Sequence, residues 1–286
     1  MKEKKNKSST ITLFLIILVG VSLLLYPSFS NYWNSFSQSK AIASYMDAVS
    51  NIDEAEYAKI LEAAKQYNER ITSSAISEMT DKEYEDYMSQ LNVAGNGIMG
   101  YIEIPLIGCS LPVYHGTSNS VLQVAIGHLA GSSLPVGGMS THCVVSGHRG
   151  LPSAKLFTDI DQLKEGDTFM FYILDEVFTY EVDQIHIVEP EDLTHLGVER
   201  DKDQVTLITC TPYGVNSHRL LVKGHRIDNI TDNTVHVSSD ALQVEPIVVA
   251  PVVAAPILIS MLFYIIFKDV YIKSQGKKFK ARLNNK

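Results

Sequence analysis

The sequence predicts a mainly β domain that follows a helical segment and lies between two hydrophobic runs. Three observations support this fold class. Apolar side chains recur at three- and four-residue spacing across residues 31–92, which is typical of helices. Across residues 97–228, short β-branched and aromatic runs alternate with Gly, Pro and Asp turn signals, which indicates a small barrel or sandwich. Uncharged hydrophobic runs occupy residues 11–26 and 247–267.

The composition restricts the class of protein. The 286 residues are 45% hydrophobic and 20% charged, which excludes a disulfide mini-protein and a disordered chain. A net charge of -8 argues against a nucleic-acid partner. This charge is segregated, with +3 before the first hydrophobic run, -17 between the runs and +6 after the second.

The two hydrophobic runs predict membrane segments. As a helix, residues 247–267 are about as long as the roughly 30 Å hydrocarbon core of a bilayer. Residues 11–26 follow a Lys-rich start, so they predict a transmembrane anchor or the apolar part of a signal peptide cleaved near residues 28–30. Two buried core helices are the alternative interpretation, and the basic flanks argue against it.

The charge on either side of the runs predicts their orientation. By the positive-inside rule, the basic tails 1–10 and 268–286 stay in the cytoplasm and the acidic middle is exported. We therefore expect the chain at the cell membrane, with its folded part on the extracellular face. The polar residues 229–246 are expected to form a short stalk to the second membrane segment.

Local signals predict individual elements of the exported part. Thr80 and Glu83 match a capping box, which predicts a third short helix that begins near Asp81. Residues 95–100 fit the pattern GxGxxG, but a strand rather than a helix follows, so we interpret them as a turn and not as a nucleotide site. Runs that predict strands lie at residues 113–114, 144–145, 169–172, 178–180, 205–209 and 220–222.

The three cysteines differ in their surroundings. An odd number without CxxC spacing makes neither a disulfide framework nor a zinc site. Cys109 in a turn and Cys143 at the start of a strand are expected to be buried or semi-buried and inert, and a disulfide between them is an alternative that stays open. Cys210 ends a strand and precedes a turn, which places its sulfur at the rim of the sheet, where a substrate can reach it.

A nucleophilic thiol needs an acid/base partner and a group that stabilises developing negative charge. His148 is the best candidate among the histidines because a strand end and a glycine turn surround it. A loop of suitable length separates Cys210 from Arg219, so Arg219 is expected to return beside the cysteine on an antiparallel strand. Its forked, permanently charged donors suit an oxyanion or a peptide carbonyl.

These residues lie in motifs that resemble those of a known family. The string TLITC at residues 206–210 resembles the TLxTC signature of sortases, the transpeptidases that attach proteins to Gram-positive cell walls. The strings TLITCTPYGVNSHRLLVKGHR, VVSGHRGLPSAKLF and IGHLAGSSLPVGG resemble class C, the pilus-polymerising sortases. The similarity covers residues 97–228 densely, and a second, C-terminal anchor is also typical of class C.

The resemblance implies an eight-stranded sortase β-barrel with an N-terminal helical segment and a transmembrane helix at each end. It implies Cys210 as nucleophile, His148 as general acid/base and Arg219 as stabiliser of the tetrahedral intermediate, with neither cofactor nor metal. Cys210 would attack the Thr-Gly bond of an LPxTG-like sorting signal in a pilin, and a lysine amine of the next pilin would resolve the thioester. Pilin subunits are therefore the expected partners.

One departure from class C concerns the lid. Class C sortases commonly carry an Asp-Pro-aromatic or similar segment that plugs the active site. No proline occurs between Pro27 and Pro105, and residues 76–82 read ISEMTDK. We therefore expect an open or differently gated site.

Two other functions remain open at this point. The same three residues would serve a sortase that anchors surface proteins to peptidoglycan, where a cell-wall amine rather than a lysine resolves the thioester. Alternatively, the chain is a membrane-tethered interaction module in which Cys210 is only structural.

Overall fold

The computed structural model describes residues 7–71 and 79–229 and the single positions 256 and 260. It forms two compact units, one of residues 1–29 with 234–286 and one of residues 30–233. The predicted stalk, the second membrane segment and the basic C-terminal tail lie outside the described residues, apart from Pro256 and Ser260, which are helical.

Three helices make up the N-terminal part: α1 (Lys7–Ser50), α2 (Glu54–Arg70) and α3 (Asp81–Ser89). Helix α1 continues without a break through Pro27 and contains a segment, Leu15–Ser50, that is long and apolar enough to cross a membrane by length and composition. Helix α3 begins at the predicted capping box, because Thr80 and Glu83 bond to each other's backbone N–H groups. The predicted helical segment is confirmed.

Eight strands form a closed barrel in the order β1-β2-β3-β4-β7-β8-β6-β5. The pairs β2–β3 and β4–β7 are parallel, and the other neighbours are antiparallel. The predicted mainly β fold is thereby confirmed. The strands are β1 (Ile98–Ile104), β2 (Cys109–His115), β3 (Ile126–His128), β4 (Thr141–Ser146), β5 (Thr168–Ile173), β6 (Glu176–Val188), β7 (Asp203–Thr211) and β8 (His218–Arg226).

The main apolar core fills the barrel and extends under the helices. Alternate residues of each strand point inward, as Phe169 and Phe171 do on β5 and Val205 and Leu207 do on β7. Helix α2 adds Leu61, Ala64 and Tyr67 to this core, and helix α3 adds Tyr87. Each large side chain buried in this way stabilises the fold by about 1.5–3 kcal/mol, so the helices are an integral cover of the barrel.

Helix α1 is fastened to the barrel by polar side chains after residue 30. The Tyr45 hydroxyl donates to the Met99 carbonyl at 3.1 Å and accepts from the Leu174 N–H at 2.7 Å. Gln38 donates to the Val124 carbonyl at 2.7 Å. Two further contacts, made by Asn31 and Asn34, involve the loop between β4 and β5 and are described below.

Candidate functional site

Cys210 and Arg219 lie opposite each other on neighbouring antiparallel strands. Cys210 is the next-to-last residue of β7, and Arg219 is the second residue of β8. The ladder pairs them directly, and Thr211 with His218 forms the last pair before the connecting loop. The structure therefore places Cys210 and Arg219 opposite each other, as the sequence predicts.

The side chains of this pair point away from the barrel interior. Residues alternate between faces along a strand, and Leu207 on β7 and Leu220 on β8 belong to the main core. Ile208 and Leu221 belong instead to a second, smaller apolar cluster on the outer face, together with Val144, Val188 and Leu196. Cys210 and Arg219 share this outer face, and both are half-buried, so the thiol is accessible beside an apolar surface.

His148 lies at the same end of the barrel as Cys210. Strands β4 and β7 run parallel, and their ladder ends with Ser146 opposite Ile208. His148 and Cys210 each follow that pair by two residues on adjacent chain segments. Cys210 and Arg219 thus lie on β7 and β8, and His148 lies two residues beyond the end of β4, the other neighbour of β7.

Gly147 fixes the turn that carries His148. Its N–H donates to the Ile208 carbonyl at 3.0 Å, and its carbonyl accepts from the Thr209 hydroxyl at 2.8 Å. A Cβ at this position would lie 2.8 Å from the Phe157 ring and 2.9 Å from Ile126 Cγ2. Any other residue at position 147 would therefore push against Phe157 and Ile126 and disturb the turn that these bonds hold beside β7.

The other two cysteines have desolvated thiols, although residue Cys109 is half-buried like Cys210 and only Cys143 is fully buried. All three are free thiols, so the structure contains no Cys109–Cys143 disulfide. Cys109 is the first residue of β2 rather than part of a turn, and Cys143 lies inside β4. Burial raises the pKa of Cys109 to about 12 and raises the pKa of Cys143 above its usual range. Both thiols stay protonated at neutral pH, as the sequence predicts for inert residues.

Arg149 links the His148 turn to the end of β7, a role that the sequence did not indicate. Its side chain is only 10% exposed and forms an ion pair with Asp161. It donates to the Thr211 hydroxyl at 3.4 Å, and its guanidinium lies 5.9 Å from the centre of the Tyr213 ring. These contacts tie together the two segments that carry His148 and Cys210.

A second set of buried polar groups holds the loop of residues 189–202 between β6 and β7. Lys223 on β8 is 4% exposed and donates to Glu199 Oε1 of this loop at 2.5 Å. Burial lowers the pKa of His142 to about 4, so the neutral ring donates from Nδ1 to the Gly197 carbonyl at 2.9 Å and accepts from Thr206. The loop thereby presents Leu196 to the outer apolar cluster.

Of residues 76–82, which stand where class C sortases carry the lid, residues 76–78 lie outside the described residues, and Thr80 to Lys82 form the cap and start of α3. Of their described neighbours, Tyr84 packs against Tyr87, and its hydroxyl lies near Gly116. The open or differently gated site therefore stays a prediction. A cavity of about 740 Å³ lies at the opposite end of the barrel, where Thr141 at the start of β4 lines it, and it includes none of the three predicted site residues.

Comparisons with known families and curated proteins identify the same region. A family model described as "Sortase domain" matches residues 102–227. Sortase D of Bacillus subtilis is 30% identical over 131 residues, which cover 45% of this chain and 63% of that protein. Sortase A of Streptococcus agalactiae is 30% identical over 117 residues, which cover 40% of this chain and 47% of that protein. The chain thus spans less than two thirds of the length of these two relatives.

Solved structures extend the similarity beyond the barrel. Sortase C1 of Streptococcus agalactiae is 55% identical with a TM-score of 0.65, over 66% of this chain and 99% of that chain. Sortase C-1 of Actinomyces oris is 45% identical with a TM-score of 0.57, over 60% of this chain and 99% of that chain. The chain belongs to the sortase family, the cysteine transpeptidases of Gram-positive bacteria, and class C sortases are among its close structural matches.

Proposed function

We propose that the chain is a class C sortase that joins pilin subunits through an acyl-thioester on Cys210. One observation carries the proposal: the rung that pairs Cys210 with Arg219 lies at the barrel end that also bears His148. In this proposal Cys210 is the nucleophile, His148 is the general acid/base and Arg219 stabilises the oxyanion. The half-buried thiol beside an apolar surface suits an extended peptide better than a small polar substrate.

The proposed reaction consists of two acyl transfers. The Cys210 sulfur attacks the threonine carbonyl of an LPxTG-like signal, and the negative charge that develops on the carbonyl oxygen is stabilised by Arg219. The C–N bond to glycine breaks, His148 protonates the leaving amine, and an acyl-thioester remains. A lysine amine then attacks the thioester, loses its proton and forms an isopeptide bond as the thiol is released.

The matches to class C structures support pilin polymerisation. The sortase C1 and sortase C-1 structures match this chain at 55% and 45% identity over nearly their whole length. A sortase A structure of Corynebacterium diphtheriae matches at 44% identity over 98% of its length, so identity alone does not separate the two roles. The matching sortase C structure of Streptococcus pneumoniae is described as giving insight into pilin substrate specificity, and we extend that substrate class to this chain.

The thioester is the first test. The full-length chain in detergent is incubated with an LPxTG-like peptide, and mass spectrometry of the digested protein locates the acyl group. We expect the acyl group on Cys210, none in Cys210→Ala and an unchanged amount in Cys109→Ala. Unchanged acylation or pilin polymers with Cys210→Ala would favour a non-catalytic, membrane-tethered module.

The resolving amine is the second test. Preformed acyl-enzyme is offered a pilin domain that contains its native lysines, the same domain with each lysine replaced by arginine, or a peptidoglycan stem peptide. Class C activity predicts a covalent product with the native pilin domain alone. A product with only the stem peptide would instead assign the chain to cell-wall anchoring.

We also propose that the chain is membrane-anchored with its barrel outside the cell. The apolar helix α1 and the Lys-rich residues before it support this orientation. Protease added to intact cells should then digest an epitope tag placed in an exposed barrel loop but leave a tag at the N-terminus intact.

A further inference from the structure

Helix α1 has two chemically different faces after residue 30. The aromatic face consists of Tyr32, Trp33 and Phe36, whose side chains are 70%, 60% and 60% exposed. The opposite face bonds to the barrel through Asn31, Asn34, Gln38 and Tyr45. With 3.6 residues per turn, the two sets project on opposite sides of the helix, so the contacts with the barrel leave the aromatic face uncovered among the described residues.

The aromatic face ends abruptly along the helix. Lys40 lies two helical turns after Trp33 on the same side, and Asp47 lies two turns further on. Both are charged, whereas residues 8–39 contain no charge. The change from aromatic to charged residues marks a boundary between Phe36 and Lys40.

The length of the uncharged stretch matches a whole bilayer. As a helix, residues 8–39 measure about 48 Å, and a bilayer with its headgroup regions is about 40–45 Å thick. The hydrophobic run 11–26 alone measures about 24 Å, less than the hydrocarbon core. Because α1 is continuous, Tyr32 lies about 9 Å along the helix beyond the end of that run. Trp and Tyr concentrate in membrane proteins at the interface between the hydrocarbon core and water.

We propose that Tyr32, Trp33 and Phe36 form an interfacial surface that lies in the headgroup region of the outer leaflet. This inference rests on the proposed membrane anchoring of the chain. The rings bury their apolar parts at the edge of the acyl chains, while the Tyr32 hydroxyl and the Trp33 indole N–H remain among polar headgroups. Lys40 is then the first charged side chain in the aqueous phase.

The same helix turns hold the candidate site near the membrane. Asn34 donates to the Ser153 carbonyl at 2.7 Å, and Asn31 accepts from the Lys155 N–H at 2.9 Å. The loop that contains Ser153 and Lys155 follows His148 directly and is tied back to it, because the Phe157 N–H donates to the His148 carbonyl. The interfacial surface therefore presents the site to a peptide substrate that is itself tethered to the membrane.

The chain contains a single tryptophan, Trp33, which makes the proposal directly measurable. The full-length chain is reconstituted in phosphatidylcholine–phosphatidylglycerol vesicles and excited for tryptophan fluorescence. Spin-labelled lipids that carry the label near the headgroup should quench Trp33, and aqueous iodide should not. Iodide quenching without lipid quenching would place Trp33 in water and overturn the proposal. Protection from both quenchers would indicate a second protein chain on this face and would also overturn it.

A matched control moves the tryptophan along the same face. In the double variant Trp33→Phe with Lys40→Trp, the indole lies about 11 Å further along the helix. Iodide should quench this variant, and headgroup-labelled lipids should quench it much less. Equal lipid quenching of both proteins would contradict the boundary between Phe36 and Lys40.

Two further measurements separate this inference from the proposed function. Flotation with the vesicles tests membrane anchoring, and thioester formation on Cys210 with a soluble sorting peptide tests the activity. A chain that floats and forms the thioester while iodide quenches Trp33 would overturn only the interfacial surface. A chain whose Trp33 is quenched by lipid but whose Cys210 stays unmodified would overturn only the proposed activity.

Discussion

Cys210 and Arg219 form one rung of the antiparallel ladder between β7 and β8. Side chains of directly opposed residues project on the same face with Cβ atoms about 4.5–5.5 Å apart. The spacing of the two backbones, and so of the two Cβ atoms, is therefore set by two strands of a closed barrel rather than by a loop. Arg219 also donates to the His218 carbonyl at 3.1 Å, which holds its guanidinium near the strand end.

The first prediction concerns the charge at position 219. If Arg219 stabilises the oxyanion, Arg219→Ala should lower the rate of Cys210 acylation about 10²–10³-fold. The acylation rate of Arg219→Lys should lie between those of wild type and Arg219→Ala, because lysine keeps the positive charge but lacks the forked donors of arginine. Arg200→Ala, at a residue whose side chain is 92% exposed, serves as the control and should leave the rate unchanged. Equal rates for wild type and Arg219→Ala would remove Arg219 from the mechanism.

The second prediction concerns the three thiols. Desolvation raises the pKa values of the Cys109 and Cys143 thiols, and Cys210 lies half-buried on the outer face. Brief iodoacetamide treatment of the folded chain at pH 7 should therefore alkylate Cys210 alone, as determined by peptide mapping. After unfolding in urea, all three should react. Comparable labelling of Cys143 in the folded chain would contradict its burial.

The third prediction concerns Arg149 as a positioning residue. Arg149→Met removes the contacts to Asp161 and Thr211 that join the His148 turn to β7. We expect kcat for peptide cleavage to fall by up to about 10²-fold, since small misplacement of reacting groups has effects of that size. KM should change little.

A conservative variant tests the same residue further. Arg149→Lys keeps the ion pair with Asp161 but loses the forked donors, so it should recover only part of the activity. A lowered melting temperature with an unchanged kcat would assign Arg149 a purely structural role.

The fourth prediction concerns acid stability. Hydrogen bonds from Lys202 and Lys223 lower the pKa of Glu199 to about 2. A lowered folded-state pKa stabilises the protein above the ordinary carboxyl pKa, and this stabilisation disappears as the pH falls from about 4.5 towards 2. Glu199→Gln should lower the free energy of unfolding at pH 7 by roughly 1–3 kcal/mol, since it leaves the buried Lys223 without its charged partner.

Urea unfolding at several pH values checks this prediction. The difference between wild type and Glu199→Gln should shrink from pH 7 to pH 3. Lys202→Met is the matched control, because it removes the exposed contact of Glu199 and retains the buried contact with Lys223. If Lys202→Met lowered the free energy of unfolding as much as Glu199→Gln does, the unpaired buried Lys223 would not be the cause of the destabilisation.

The sequence predicted the parts of the fold that have local signals. The Thr80 capping box, the strand around residues 205–209 and the return of Arg219 beside Cys210 all depend on spacing along a short segment. Strand β3 was not predicted, because three residues are too few for an alternating pattern to be visible.

The contacts that the sequence did not predict join distant segments. Arg149 and Thr211 are far apart in the chain, as are Asn34 and Ser153, and neither pair follows a helix or strand period. The order of the strands brings Arg149 and Thr211 together, and the packing of α1 on the barrel brings Asn34 to Ser153. Helix α1 continues through Pro27. The sequence suggested a division there between a hydrophobic run and a helical segment, because the composition changes at this point while the helical backbone does not.

The parallel pairing of β4 with β7 has a consequence for when the chain can react. Strands β5 and β6 lie between them in sequence, so this pairing joins the segment bearing His148 to the segment bearing Cys210 across a long stretch of chain. In the proposed mechanism, an unfolded chain would therefore carry the Cys210 thiol without His148 beside it. Under that proposal, closing the barrel is the step that completes the site.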